Sequence, residues 1–258
     1  MNRFRSCAWI AAIAVAAPLN AWLQAAPSAD AAAGRALVKR YADAIVSVEM
    51  VLITKVKMGD REQPPREQRV DVNGTVISAS GLTVTSLAAV DPQVQFDAMR
   101  GTPQGGRMEL VGVEFKEVKL RLADGKEVPA KFVLKDADLD LAFMAPETAE
   151  AGRDYAHVKL EEAAEGVVLA DYFFVARAPK SLQRIPLVRG SEIMGIVEKP
   201  RRFFLVTDQS VGTPLFDLQG RVLGISLQPY ASGRASVIVM PAADIAEMAK
   251  QAAAAQAK

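Results

Sequence analysis

Short runs in which apolar and polar residues alternate fill the middle of the chain and predict β-strands. They lie at residues 45–53, 70–77, 82–85, 118–122, 128–134, 140–144, 167–169, 172–176, 193–198, 203–207, 215–216, 222–227 and 236–240. Helical spacing is confined to residues 31–42 and 241–255, and residues 57–69 and 92–112 are expected to be loops. Many short strands without helices between them predict an all-β barrel or sandwich that a C-terminal helix closes.

The number of strands suits two six-stranded barrels, with a boundary near residues 149–155. The predicted organisation is therefore a leader at residues 1–29, a short helix and first barrel at 30–150, and a second barrel with the C-terminal helix at 151–258.

The leader has the pattern of a signal peptide. Arg3 and Arg5 precede a short apolar run at residues 6–19, and small residues follow at Ala21, Ala25 and Ala26. The run is shorter than the roughly 20 residues of a spanning helix. The sequence therefore predicts an exported protein, periplasmic or extracellular in a bacterium, with no integral span after signal cleavage. An uncleaved membrane anchor is the alternative.

Cysteine content and charge exclude several classes of function. The single cysteine, Cys7, lies in the leader, so the mature chain is expected to have no disulfide, thiolate metal site or cysteine nucleophile. Lys and Arg number 31 against 30 Asp and Glu, which gives no long-range attraction for nucleic acid. The basic run at residues 199–202 fits a solvated turn. Glu161, Glu162 and Glu165 lack the spacing of a calcium loop, and neither a metal nor a cofactor is predicted.

Three motifs follow one another along the strand pattern. The first motif runs from Gly74-Thr75-Val76-Ile77 through Ser80-Gly81 to Thr85 and Ala88. The second motif joins Leu122-Ala123-Asp124-Gly125 to Asp140-Leu141-Ala142. The third motif is Gln209-Ser210-Val211-Gly212-Thr213-Pro214-Leu215. In this order the chain resembles the trypsin-like serine proteases over about residues 44–245, nearest to the HtrA-type enzymes of the bacterial envelope. No PDZ domain of the kind that usually follows an HtrA-type protease domain is expected.

The resemblance implies that the catalytic triad is degenerate. Asp140 matches the triad aspartate, whereas Ala88 and Val211 occupy the positions of the histidine and the serine. Alanine cannot accept a proton and valine has no oxygen, so neither the base nor the nucleophile is present. Asp140 is therefore expected to be structural, accepting hydrogen bonds from backbone N–H groups of the first motif. The only histidine, His157, is expected in the connection between the barrels, facing solvent.

The expected function is that of a catalytically inactive trypsin-like domain that binds a peptide or protein partner. By resemblance, a peptide would add as a strand along the edge of the second barrel near residues 203–207. The predicted binding residues are Phe203, Leu205, Thr207, Gln209 and Gly212. The alternatives are an active serine endopeptidase with a divergent site, where Ser210 or Ser86 would be the nucleophile, and a structural envelope protein.

Overall fold

A computed structural model describes residues 29–100, 108–148, 152–207, 210–231 and 234–256 of the protein. Its first sheet contains only strands that precede residue 147: β1 (Ile45–Met58), β2 (Arg61–Glu62), β3 (Arg66–Val76), β4 (Thr83–Ser86), β5 (Met108–Arg121), β6 (Glu127–Asp136) and β7 (Leu141–Pro146). The strand order is β2-β1-β3-β4-β7-β6-β5, and β1 also pairs with β5. That additional pairing closes a six-stranded barrel, to which β2 is appended as a short hairpin strand.

The second sheet contains only strands that follow residue 170: β8 (Asp171–Arg177), β9 (Pro186–Glu192), β10 (Gly195–Val197), β11 (Phe203–Leu205), β12 (Pro214–Phe216), β13 (Val222–Leu227) and β16 (Ile238–Pro241). Their order is β10-β11-β16-β13-β12-β8-β9, a half-barrel with β10 and β9 at its two edges. A separate hairpin is formed by β14 (Tyr230–Ala231) and β15 (Arg234–Ala235). The predicted all-β class is confirmed, with the second unit less closed than the first.

The described residues also form helices. They are α1 (Ala29–Tyr41), α2 (Leu87–Val90), α3 (Pro92–Met99) and α4 (Ala242–Gln256), with 3₁₀ turns at Ala42–Ala44, Leu160–Glu162 and Lys180–Leu182. The helix α1 packs on β8 and β9, and the ring of Tyr41 stacks on that of Phe216 with 4.4 Å between their centroids. The predicted N-terminal and C-terminal helices are confirmed.

One apolar core combines side chains of the two sheets with those of α1 and α4. It combines side chains from the first sheet, such as Ile45 and Phe143, with Val175 and Ile225 of the second and Ile245 of α4, all of them fully buried. Successive residues of a strand face opposite ways, so the opposite faces of the strands form a separate core inside each unit.

The buried side chain of Arg177, at the end of β8, also joins the two sheets. Its guanidinium donates to the carbonyl oxygens of Ile45 (2.5 Å), Ala42 (2.7 Å) and Arg184 (3.2 Å). Its backbone N–H donates to the side-chain oxygen of Asn73 in β3 at 2.9 Å. Burial lowers the pKa of Arg177, and these acceptors supply the polar contacts that a buried cation requires.

Several predicted elements differ from the structure. Residues 57–69, predicted as a loop, form the tip of the ribbon of β1 and β3, where charged side chains are exposed because the ribbon extends past the core. Residues 167–169, predicted as a strand, form a turn with Leu169 at a φ of +63°. The strand β9 was not predicted because most of its side chains are exposed and show no alternation. The leader and residues 149–151 lie outside the described residues, so the domain boundary stays a prediction.

Candidate functional site

The carboxylate of Asp140 is the centre of a buried hydrogen-bond cluster, here called the Asp140 hub. One carboxylate oxygen accepts from the backbone N–H of Ala88 at 2.7 Å. The other accepts from the backbone N–H of Gln228 at 3.0 Å and from the hydroxyl of Ser86. Asp140 is 1% exposed and has a φ of +56°, a conformation that aspartate tolerates better than most residues.

Burial raises the pKa of Asp140, although the three hydrogen bonds act in the opposite direction. Its backbone carbonyl also accepts from the N–H of Leu87 at 3.0 Å. The carboxylate and the backbone carbonyl of Asp140 therefore both accept from N–H groups in the first turn of α2. Asp140 and Ala88, which the sequence placed in separate motifs, are therefore in direct contact. Gln228 was not predicted to contribute, because it acts only through its backbone.

The helix α3 covers the side of Ala88. Its side-chain contact with α2 is a hydrogen bond from the amide of Gln95 to the carbonyl of Ala88 at 2.8 Å, and Ala88 is 1% exposed. Asp91 caps α3 by accepting from the N–H of Gln93, and Pro92 opens its first turn. This helix was predicted as a loop, although an Asp-Pro pair is a helix-start signal that could have identified it.

The third motif forms a tight turn against the first barrel. Gly212 has a φ of +77°, and a Cβ atom there would lie 2.0 Å from the carbonyl oxygen of Asn73. The carbonyl of Gly212 accepts from the hydroxyl of Thr75 at 2.8 Å, and its N–H donates to Ser226 at 2.8 Å. Only glycine fits this conformation and this approach. Val211 precedes it and is partly buried, while Gln209 lies outside the described residues.

Among the described contacts of the hub, the hydroxyl of Ser86 donates to the carboxylate of Asp140 and no histidine takes part. Ser86 is fully buried and is hydrogen-bonded to Asp140, so no substrate reaches it. His157 lies on the connection between the sheets, where its ring nitrogen contacts the carbonyl of Tyr155 at 2.9 Å. No described hydrogen bond joins His157 to the Asp140 hub. Among the described residues no group of three or more histidine, cysteine, aspartate or glutamate side chains is placed to hold a metal ion.

The predicted binding residues Phe203, Leu205 and Thr207 belong to another part of the second sheet. The strand β11 pairs with β10 on one side and, at Phe204, with β16 on the other. The expectation that this segment forms a sheet edge is therefore wrong for β11, which lies between β10 and β16. The hydroxyl of Thr207 lies 3.1 Å from that of Ser191, at the end of β9. Whether these residues bind a peptide stays a prediction.

Comparison with known proteins agrees with this architecture. Residues 72–225 match the family model of the trypsin-like peptidase domain. A search among curated protein sequences found no significant match. No helix within the described ranges has the length and apolar character needed to cross a membrane.

Two solved structures are similar in fold. The MamO protease domain of Magnetospirillum magneticum has 18% sequence identity and a TM-score of 0.51, over 81% of this chain and 97% of that domain. A serine endoprotease of Yersinia pestis has 15% identity and a TM-score of 0.55, over 84% of this chain and 65% of the endoprotease chain. Because the family match includes the strands that carry the Asp140 hub and the Gly212 turn and spans more than half of the sequence, this chain belongs to the trypsin-like peptidase domain family.

Proposed function

We propose that this chain is a catalytically inactive trypsin-like domain that is exported from a bacterial cell and acts by binding a polypeptide. The observation that carries the proposal is the hydrogen bond from the backbone N–H of Ala88 to Asp140. It supports the assignment of Ala88 to the histidine position, since the residue that contacts the aspartate there has no side chain able to accept a proton.

The packing around Ala88 supports inactivity beyond the loss of two side chains. Ala88 is buried, and Gln95 of α3 occupies its carbonyl. The same helix contacts β14 of the second unit, so chain from both halves meets next to the hub. Because Ala88 is almost fully buried, the larger imidazole of a histidine at this position would have to displace the surrounding atoms.

The sequence supports export, as its first residues carry a basic pair followed by a short apolar run. N-terminal sequencing of the protein recovered from a cell-envelope fraction tests this directly. A mature N-terminus near residues 25–30 is expected, whereas an intact Met1 on a membrane-bound protein would favour the uncleaved anchor. Limited proteolysis tests the proposed boundary near residues 149–155, where the first cleavage is expected.

Labelling with a fluorophosphonate probe tests inactivity. The mature protein and the double variant A88H/V211S are incubated with the probe, and adducts are located by mass spectrometry. We expect no adduct on either protein, because the packing around residue 88 leaves no room for a working imidazole. A stoichiometric adduct on Ser210 or Ser86 of the natural chain would overturn the proposal in favour of a divergent endopeptidase.

Selection from a random peptide library displayed on phage tests binding, with the folded state of the protein verified by circular dichroism. We expect enriched peptides that bind and are recovered uncleaved. If no sequence is enriched, the binding function is wrong and the structural envelope protein becomes the better interpretation.

A further inference from the structure

The second sheet leaves the edge of β9 open to solvent. β9 pairs only with β8, and residues 186–190 are all exposed. The N–H of Ile193 donates to the carbonyl of Ala170, and the N–H of Ala178 donates to the carbonyl of Ile185. These two bonds determine which residues of β9 direct their backbone N–H and C=O groups toward β8. Because the bonding direction alternates along an antiparallel pair, the N–H and C=O groups of Val188, Gly190 and Glu192 point away from β8. No described residue bonds to them. These outward groups are here called the β9 edge.

An acidic groove adjoins the end of the β9 edge. It has a volume of about 490 Å³, and its charged lining residues are Asp30, Asp171 and Glu192, all of them acidic. None of the three forms an ion pair with another described residue. Asp171 lies directly opposite Glu192 in a pair whose backbones are not hydrogen-bonded, where facing side chains are closest. Like charges in that position destabilise a sheet, and a cation bound in the groove would remove the repulsion.

An apolar ledge borders the same groove. Leu169, Met194 and Leu205 are 71%, 54% and 38% exposed. Backbone hydrogen bonds hold their segments side by side, since the N–H of Leu169 donates to the carbonyl of Ile193 and the N–H of Met194 donates to the carbonyl of Leu205, each at 2.9 Å. Met194 also lines the groove, so the ledge and the acidic side chains form one surface. Contiguous exposed apolar side chains of this kind mark interaction sites in soluble proteins.

We propose that the β9 edge binds an extended segment of a partner polypeptide in which lysine or arginine alternates with apolar residues. The inference rests on the proposed binding function and names its partner. Strand addition satisfies the outward backbone groups and displays alternate side chains on opposite faces. The cations lie on the face that carries Val188, Gly190 and Glu192, where they meet the groove. The apolar residues lie on the opposite face, which carries the exposed side chain of Leu187. A second copy of β9 suits this surface less well, since its own residues on that face include no cation.

Binding of designed peptides to the mature protein tests the inference. The probes are fluorescein-labelled nine-residue peptides of alternating lysine and valine or of alternating glutamate and valine, measured by fluorescence anisotropy. Hydrogen exchange then locates the bound peptide. We expect the lysine peptide to bind at least 10-fold more tightly, to lose affinity at 0.5 M salt, and to protect the amides of Val188, Gly190 and Glu192.

Three variants separate charge from backbone. Asp171→Asn with Glu192→Gln should weaken binding of the lysine peptide about 10-fold. The matched control, Asp60→Asn with Glu62→Gln on the β1–β2 hairpin, makes the same change in net charge and should leave binding unchanged. Val188→Pro removes one outward N–H without removing a bond to β8, and proline is tolerated on edge strands. It should weaken both peptides equally.

The outcomes distinguish this inference from the proposed function. If library peptides bind but protect only residues near Gln228, or if the Asp171 and Glu192 variant binds the lysine peptide normally, the β9 assignment is wrong and the binding function stands. If no peptide binds at all, both are wrong. A dimer in sedimentation that Val188→Pro dissociates would show that the occupant is a second copy.

Discussion

The Asp140 hub and the β9 edge differ in whether their backbone N–H groups have hydrogen-bond partners among the described residues. At the hub, the N–H of the buried Ala88 and the N–H of the partly buried Gln228 each donate to a carboxylate oxygen of Asp140. At the β9 edge, the outward groups of Val188, Gly190 and Glu192 are exposed and meet no described partner. The backbone donors around Asp140 thus have described acceptors, whereas the backbone groups without described partners lie on an edge strand of the second sheet.

The hub gives Asp140 a structural role. Ser86 and Ala88 belong to the first sheet and its following helix, whereas Gln228 follows the last residue of β13 in the second. One carboxylate therefore joins the two halves of the molecule, as the Gly212 turn and Arg177 do elsewhere. In this interpretation Asp140, the Gly212 turn and Arg177 are the structural joints between the two halves.

The largest effect is expected from Gly212→Ala. A Cβ atom there meets the carbonyl oxygen of Asn73 at 2.0 Å and the hydroxyl of Thr85 at 2.6 Å, in addition to the strain of a φ of +77°. Together these should lower the free energy of unfolding by about 4 kcal/mol, measured by urea denaturation. Gly220→Ala is the matched control. Gly220 has a φ of +81° but its nearest neighbour would be 3.5 Å away, so about 1 kcal/mol is expected. Equal losses would show that the two sheets do not approach at Gly212 as described.

Asp140→Ala should have the next largest effect. It leaves the buried donors of Ala88, Gln228 and Ser86 without their acceptor, which we expect to lower the free energy of unfolding by about 3 kcal/mol. Ser86→Ala removes a single donor and should cost about 1 kcal/mol. A small loss in the Asp140 variant would contradict the role of the carboxylate as a joint.

Replacing Arg177 with methionine tests the third joint. The change leaves the carbonyls of Ile45, Ala42 and Arg184 without this donor, and a loss of about 2 kcal/mol is expected since buried carbonyls tolerate under-satisfaction better than N–H groups. Arg221→Met removes an exposed arginine that pairs with Asp217 and should cost less than about 1 kcal/mol. The comparison fails if both variants unfold at the same urea concentration.

The pH dependence of stability tests the direction in which the pKa of Asp140 is shifted. Since burial raises the pKa of Asp140 in the folded protein, the folded state holds that proton more tightly than the unfolded state does. The stabilisation is fully present below the unfolded pKa and is lost as pH rises through the folded pKa. The natural chain should therefore lose stability relative to Asp140→Asn as pH rises across that interval, measured by urea unfolding at a series of pH values. A relative gain with rising pH would mean that the hydrogen bonds outweigh burial.

The sequence predicted the strands that alternate apolar and polar residues or form short apolar runs, and missed those that do neither. β7 and β13 are of the second kind, and all their residues are buried. The strand β9 was missed because an exposed edge strand needs no such pattern, and with it the β9 edge was missed too. At the hub, motif order identified Asp140 and Ala88. Gln228 could not be found, since a backbone N–H leaves no signal in side-chain identity.

The smallest effect on stability is expected at the open edge, and it has the opposite sign. Asp171→Asn removes a like-charge repulsion with Glu192, so the free energy of unfolding should rise by about 0.5 kcal/mol while affinity for the lysine-valine peptide falls. Urea denaturation and anisotropy of the same variant measure the two changes, with Asp60→Asn on the distant hairpin as the control for net charge. This result would show that Asp171 weakens the folded chain and strengthens peptide binding, as expected of a residue that serves binding. If Asp171→Asn instead destabilises the protein, Asp171 belongs to the joints, and the contrast between hub and edge no longer holds at this residue.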